Sequence, residues 1–296
     1  MGTPLHARIS LAFRRRGPGV RRIYFNARRA SRFFKDAPRR SALAALPPTD
    51  IHIPHDLGFV VAPAGRFGET AAIVAEARET LARFDASAPP PGKNRKRFLQ
   101  NVFDASTLTL DSAVIRFALR SDVLAAVSKY LGVVPLLSTI AVYHSDTVEE
   151  APKSSQLYHC DGDDVTQIKV FVYCSDVDAR SGPLTVLDAA TTRAVQRRTG
   201  YEFRQRLTDE QVHQAVPGAR EHAILGSART TVFLDTSRCF HFGSRVASDA
   251  PPRLVTMVQY QTPYSFMIPA DAHVALPFRC LLTPSLTPLQ RLVLGE

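Results

Sequence analysis

The feature that most constrains this chain is a change of hydrophobic period near residue 134. Upstream, apolar residues recur at helical spacing. In 69–84 (ETAAIVAEARETLARF), Ala72, Val74, Ala75, Leu81 and Ala82 alternate with charged residues, which predicts an amphipathic helix. Two shorter helical patterns fill 112–131 and divide at Arg120-Ser121-Asp122, where Ser121 or Asp122 is placed to cap the second. Downstream, 136–143, 167–174, 184–187, 230–234 and 254–260 are short runs rich in Val, Ile, Thr, Phe and Tyr. Turn residues separate them: Gly162-Asp163, Ser181-Gly182-Pro183, Gly226-Ser227 and Pro251-Pro252. Phe59-Val60-Val61 reads as an earlier strand. Helices first and short strands after predict a mainly β core with flanking helices. The polar stretch 191–215 reads as helix or loop and 86–97 as a Pro- and Lys-rich loop. The tail 264–296 reads as a lid, a dimer contact or a packed terminus.

Charge divides the chain differently. The net charge of +10 is concentrated in residues 1–40, which hold 12 Lys+Arg against one acid, Asp36. The remainder carries 25 basic and 26 acidic residues and is close to neutral. Residues 1–47 are therefore expected to be a basic N-terminal arm, peripheral to a folded body at 48–296. A basic arm on a neutral body is weaker evidence for nucleic acid than a basic fold would be. No apolar run approaches the ~20 residues that span a bilayer. The Arg-rich, acid-poor start has the composition of a mitochondrial transit peptide, but a cytoplasmic protein is the preferred reading. Cys160, Cys174, Cys239 and Cys280 form no CxxC pair and read as reduced thiols rather than a disulfide framework.

The chemistry concentrates in Tyr158-His159-Cys160-Asp161-Gly162. In extended backbone, side chains at i and i+2 share a face, so His159 and Asp161 project together and Cys160 turns away. A third ligand must come from elsewhere, and His241, in Cys239-Phe240-His241-Phe242-Gly243, follows an apolar strand and adjoins a glycine. Two His and one carboxylate on one triangular face leave open positions opposite, the facial triad of non-haem Fe(II) oxygenases. Twelve residues further on, Arg253 opens the strand run at 254–260. Its planar guanidinium suits bidentate binding of a carboxylate, the anchor that an iron-chelating 2-oxo acid needs at its far end. Alternation sets Arg253 on one face with Val255, Met257 and Gln259. Lys169, Tyr143 and Thr256 are placed either near the co-substrate or on the outer face.

These residues resemble the phytanoyl-CoA dioxygenase-like family of Fe(II)/2-oxoglutarate-dependent oxygenases. The resemblance spans about 52–263 and is densest at 155–187 and 226–260. Residues 155–161 resemble the first metal strand, 169–178 the following strand with its acidic turn, and 181–184 the small-Gly-Pro-Leu turn. Leu234-Asp235-Thr236 leading to His241-Phe242-Gly243-Ser244 resembles the distal metal site. The resemblance implies a double-stranded β-helix (a cupin-like jelly roll) with its β core at about 134–263, and iron held by His159, Asp161 and His241. It further implies 2-oxoglutarate on Arg253, O₂ as oxidant, and hydroxylation of a small-molecule C–H bond with release of succinate and CO₂. Asp161 favours hydroxylation over halogenation, because related halogenases carry a small residue there. Where the family commonly has Pro-Gly-Ser-His after the Gly-Pro-Leu strand, this chain reads Leu187-Asp188-Ala189-Ala190-Thr191.

Three alternatives carry their own signals. A zinc protein would use Cys160 and Cys239 but would leave Asp161 and Arg253 unexplained. A nucleic-acid-directed oxygenase would use the basic arm, yet such enzymes tend to carry a second arginine six residues after the first, where this chain has Gln259. A non-catalytic jelly-roll binding module would have no need of the triad.

Overall fold

The computed structural model describes residues 5–84, 98–147, 151–267 and 276–296. The loop expected at 86–97 lies outside them. Two antiparallel sheets face each other. The larger has strands β1 (Phe59–Ala62), β2 (Gln100–Asn101), β3 (Leu136–Ser145), β4 (Gln167–Tyr173), β7 (Thr231–Asp235) and β9 (Arg253–Gln261), in the order β1-β7-β4-β9-β3-β2. The smaller has β5 (Leu184–Val186), β6 (His222–Ile224) and β8 (His241–Phe242), in the order β6-β5-β8. Mostly antiparallel sheets with flanking helices make this a jelly roll, as expected.

Alternation along β4 explains how the layers are assigned. Ile168, Val170 and Val172 enter the core under the helices, whereas Phe171 and Tyr173 pack with Val186, Val232 and Val255 between the two sheets. Lys169 shares the inter-sheet face with Phe171 and Tyr173. The helical layer comprises α4 (Thr70–Arg83), α5 (Ala113–Ala118), α6 (Ser121–Leu131) and α9 (Pro288–Leu294). It brings Ile73, Phe117, Leu124, Val127 and Val293 against Phe233 and Val258. Each large side chain buried there contributes about 1.5–3 kcal/mol, so a charge at Val170 would break this layer. The tail is a packed terminus at 288–294, with Val293 fully buried.

One local expectation needs correction. Ser121 does not cap α6, because it is already the first helical residue and Arg120 precedes it. Asp122 does not cap it either; it turns back to pair with Arg120 at 2.9 Å. The polar stretch after β5 forms α7 (Ala189–Thr199) and α8 (Asp209–Ala215). Asp188 caps α7 by accepting from the Thr191 backbone N–H at 2.6 Å, so the departure from the family pattern is a helix start.

The basic N-terminal segment is helical and seated on the body. It forms α1 (Leu5–Arg14), α2 (Pro18–Ser31) and α3 (Ala37–Ala44). Three of its arginines point inward: Arg21, Arg28 and Arg39 are 1%, 9% and 5% exposed. Arg39 donates to the carbonyls of Val134 (3.0 Å), Pro135 (3.1 Å) and Leu292 (2.8 Å). Arg28 donates to Ser265 O at 2.5 Å. Arg21 donates to Gly162 O at 3.0 Å and also to the carbonyl of Asp164, with Phe203 stacked 3.5 Å from the guanidinium carbon. A guanidinium has five donors and no acceptor, so loop carbonyls that lack sheet partners are what can receive it in a buried place.

Candidate metal centre

The site is built at the edge of the small sheet. His159 and His241 are directly opposed in an antiparallel bridge, with N–H···O distances of 3.2 and 3.0 Å in the two directions. On its other edge the same segment pairs Tyr158 with Leu207. Val186 faces His241 across β5 and β8. One row on one face therefore runs Val186, His241, His159. The adjacent row, Phe242, Tyr158 and Leu207, faces a separate apolar cluster on the opposite side. Two residues past His159, Asp161 returns to the metal face. Its N–H donates to Thr236 O at 2.8 Å and its carbonyl accepts from Ser237 Oγ at 3.1 Å. The connection between β7 and β8 thus leads into His241 and also holds Asp161.

Ligand atoms of His159, Asp161 and His241 all lie within 4.8 Å of one another, and no other such group of His, Cys, Asp and Glu occurs among the described residues. The rings are 4.3 Å apart between centroids. Asp161 Oδ1 is 3.8 Å from His159 Nε2, and Oδ2 is 3.9 Å from His241 Nε2. Each Nδ1 lies 3.0 Å from a backbone carbonyl, Leu157 O for His159 and Cys239 O for His241. A carbonyl can only accept, so Nδ1 carries the proton and Nε2 turns a lone pair toward the centre. Burial and the neighbouring His241 push the His159 imidazole well below its usual range, and burial lowers His241. Both rings are therefore neutral at pH 7. Burial alone would raise the Asp161 carboxyl, but Lys169, His241 and His159 together hold it far below the usual carboxylate range.

A donor set of two neutral imidazoles and one carboxylate on a common face fits a first-row divalent metal. Cys160 and Cys239 do not join it. Cys160 accepts from Gln196 Nε2 at 3.5 Å inside the opposite cluster, Cys239 donates to Leu57 O at 3.3 Å, and burial pushes both thiols up.

Arg253 begins β9 and is 7% exposed. Nη2 donates to Ser244 Oγ at 3.0 Å, Ser244 Oγ meets Ser145 Oγ at 2.9 Å, and Nε has no partner. No carboxylate pairs with this guanidinium among the described residues. Burial lowers its pKa, partly offset by Tyr173. A buried cation with a free donor and no counter-ion is a place for an anion. Gly243 leaves the room for it, because a Cβ there would stand 3.2 Å from Arg253 Nη2. Ser244 holds a left-handed backbone (φ 63°) that non-glycine residues rarely adopt, so local strain sits beside this arginine.

Arg206 is the residue that motif reading passes over, and Lys169, left between the site and the outer face, belongs to the site. Lys169 Nζ pairs with Asp161 Oδ2 at 2.8 Å, leaving Oδ1 for a metal. A lysine inside the apolar run IKVFVY was its only signal. Arg206 precedes Leu207, so alternation across the bridge to Tyr158 sets it on the face of His159, exposed at the mouth of the site. It forms no ion pair among the described residues. Tyr143 is close enough to Lys169 for that charge to offset part of the upward push of burial on its phenol. Thr256 faces away, its hydroxyl 3.3 Å from Cys174 Sγ.

No protein-family model and no curated protein sequence matches the chain. Solved structures do. EctD from S. alaskensis in its apoform aligns with a TM-score of 0.52 at 15% identity, over 73% of this chain and 84% of that one. The same protein with 2-oxoglutarate and 5-hydroxyectoine aligns at 0.50 and 15%, over 74% and 80%. The epimerase SnoN in complex with Fe3+, alpha ketoglutarate and nogalamycin RO aligns at 0.48 and 21%, over 81% and 93%. The EctD alignments establish for this chain the jelly-roll fold.

Proposed function

We propose that this chain is an Fe(II)/2-oxoglutarate-dependent oxygenase, related to the phytanoyl-CoA dioxygenase-like enzymes, that hydroxylates an unactivated C–H bond of a small molecule. The observation that carries the reading is one juxtaposition. A His159/Asp161/His241 face has its lone pairs already aimed, and two residues beyond His241 the chain packs against a buried arginine that lacks an anion. The solved jelly rolls that resemble it include one with 2-oxoglutarate bound and one with both iron and the same keto acid.

In this reading His159, Asp161 and His241 would hold the iron. Bound iron, with O₂ and 2-oxoglutarate, supplies the oxidising power for C–H cleavage as the keto acid becomes succinate and CO₂. The chain's own residues do the rest. Leu157 O and Cys239 O keep each Nδ1 protonated and each ring in place. Lys169 balances the Asp161 charge and fixes which carboxylate oxygen is free. Arg253, with Ser244, receives the distal carboxylate of 2-oxoglutarate. Arg206 is left to meet the substrate.

The test is anaerobic titration of Fe(II) and 2-oxoglutarate, followed by succinate formation in air. Wild type should bind one iron per chain and form succinate, and His241→Ala should do neither. Arg253→Ala should keep the iron and weaken 2-oxoglutarate about 30- to 150-fold, as loss of a charge-assisted pair of about 2–3 kcal/mol requires. A tetrahedral thiolate zinc site, or no iron in wild type, would overturn the proposal.

A further inference from the structure

The inward side of α2 is occupied by Arg21, Phe25 and Arg28. Its outward side is unpartnered and has a regular composition. Val20, Ile23, Ala27, Ala30 and Phe34 recur at spacings of three and four, so they line one stripe of the helix and of the turn that extends it, and all five are exposed. Ile23 is 70% exposed and Phe34 88%. Of the ten large hydrophobic side chains exposed among the described residues, six lie between Ile9 and Phe34. Exposed apolar surface is thus concentrated on the segment that also concentrates positive charge.

The charges flank the stripe. Arg22 and Arg29 lie along one side of it. Arg15 and Arg16 precede the helix, and Lys35 and Arg40 follow it; all six are exposed and none forms an ion pair among the described residues. Residues 1–40 contain a single acid, Asp36, and that carboxylate is buried and paired with Arg32 at 3.2 Å. The stripe therefore needs an occupant that is apolar at its centre and anionic around it. A second copy would set one cationic segment against another, which is repulsive. A nucleic acid offers the anion but nothing for Ile23 and Phe34. A bilayer surface with anionic headgroups offers both, at the depth where amphipathic basic helices lie.

We propose that the outer face of α2 docks this protein onto anionic membrane surfaces. The docking is peripheral, since no described helix is long and apolar enough to cross a membrane. The test is co-sedimentation of the full chain with vesicles of phosphatidylcholine alone and with about one third phosphatidylglycerol. Binding should require the anionic lipid, fall with added salt, and drop tenfold or more in Ile23→Asp/Phe34→Asp and in Arg22→Glu/Arg29→Glu. These side chains point to solvent, so both variants should keep the wild-type melting temperature and 2-oxoglutarate turnover. Equal binding to both vesicle types, or to neither, would overturn the proposal. So would a concentration-dependent dimer that Ile23→Asp abolishes, which would assign the stripe to a second copy. Salt-sensitive binding to an oligonucleotide that survives Ile23→Asp/Phe34→Asp, without vesicle binding, would equally reject it.

Discussion

Arg21 is the residue whose position in the fold its chemistry least advertises. Burial lowers its pKa to about 10, an effect that Asp164 partly offsets, so it stays charged at neutral pH. Its fork ties two carbonyls of the loop that follows Asp161. Arg21→Met should cost about 3 kcal/mol, since it leaves buried acceptors unpaired, and should weaken Fe(II) binding about tenfold. Arg21→Lys should restore neither, because an ammonium lacks the fork. Denaturant melts and iron titration would check both, and full iron affinity in Arg21→Met would show that the loop holds itself. Gly243→Ala tests the other end of the site. A methyl 3.2 Å from Arg253 Nη2 should raise the KM for 2-oxoglutarate several-fold and leave the melting temperature near wild type. At this scale the convergence of His159, Asp161 and His241 was readable. His159 and Asp161 follow from period-two alternation, and His241 and Arg253 from the glycine and the strand beside them. Arg21 was not, because a count of charges cannot tell an arginine facing water from one facing carbonyls. Lys169 could be placed only near the co-substrate or on the outer face, since its partner comes from another segment.

The elements were readable in proportion to their length. The helix at 70–83 and the long strands fall where their apolar periods place them. β2, β6 and β8 have two or three residues each, too few to show a period, and they exist because a neighbour pairs with them. The missed cap on α6 has a similar cause. Asp122 was free to cap until tertiary structure brought Arg120 to it and Glu69, from the start of α4, to Arg120 at 2.9 Å. Burial works to raise the Asp122 carboxyl, but the hydrogen bonds from Arg120 prevail and hold it below the usual range. A carboxyl depressed on folding adds stability above its unfolded value of about 4 and loses it as pH falls toward the folded value. Arg120→Met should therefore cost about 1 kcal/mol at pH 7, a modest figure for a partly exposed network. The cost should shrink below pH 4, as urea melts at pH 7 and pH 3 would show. An equal cost at both values would assign the arginine to packing alone.

Across the whole molecule, a mainly β core with flanking helices was legible from the order of helices and strands and the jelly roll from the family resemblance, but the seat of the basic segment was not. Helices α1 to α3 read as an appendage because their composition is polar, yet their arginines reach carbonyls of the 133–135 connection, the loop after Asp161 and the tail. Removing residues 1–47 should expose Val133 and Tyr264, which pack with Phe25, and should give a chain that melts well below the full-length protein by calorimetry. A stable, fully iron-loaded fragment would refute this. The attachment of Arg21 to the loop after Asp161 bears directly on how the protein is handled at the bench. A fragment trimmed to the recognisable β core discards the clasp on the loop after Asp161, and if the proposed function holds, such a preparation would report no activity where the fault lay in the cut. Iron content per chain, measured before any substrate is tried, distinguishes the two.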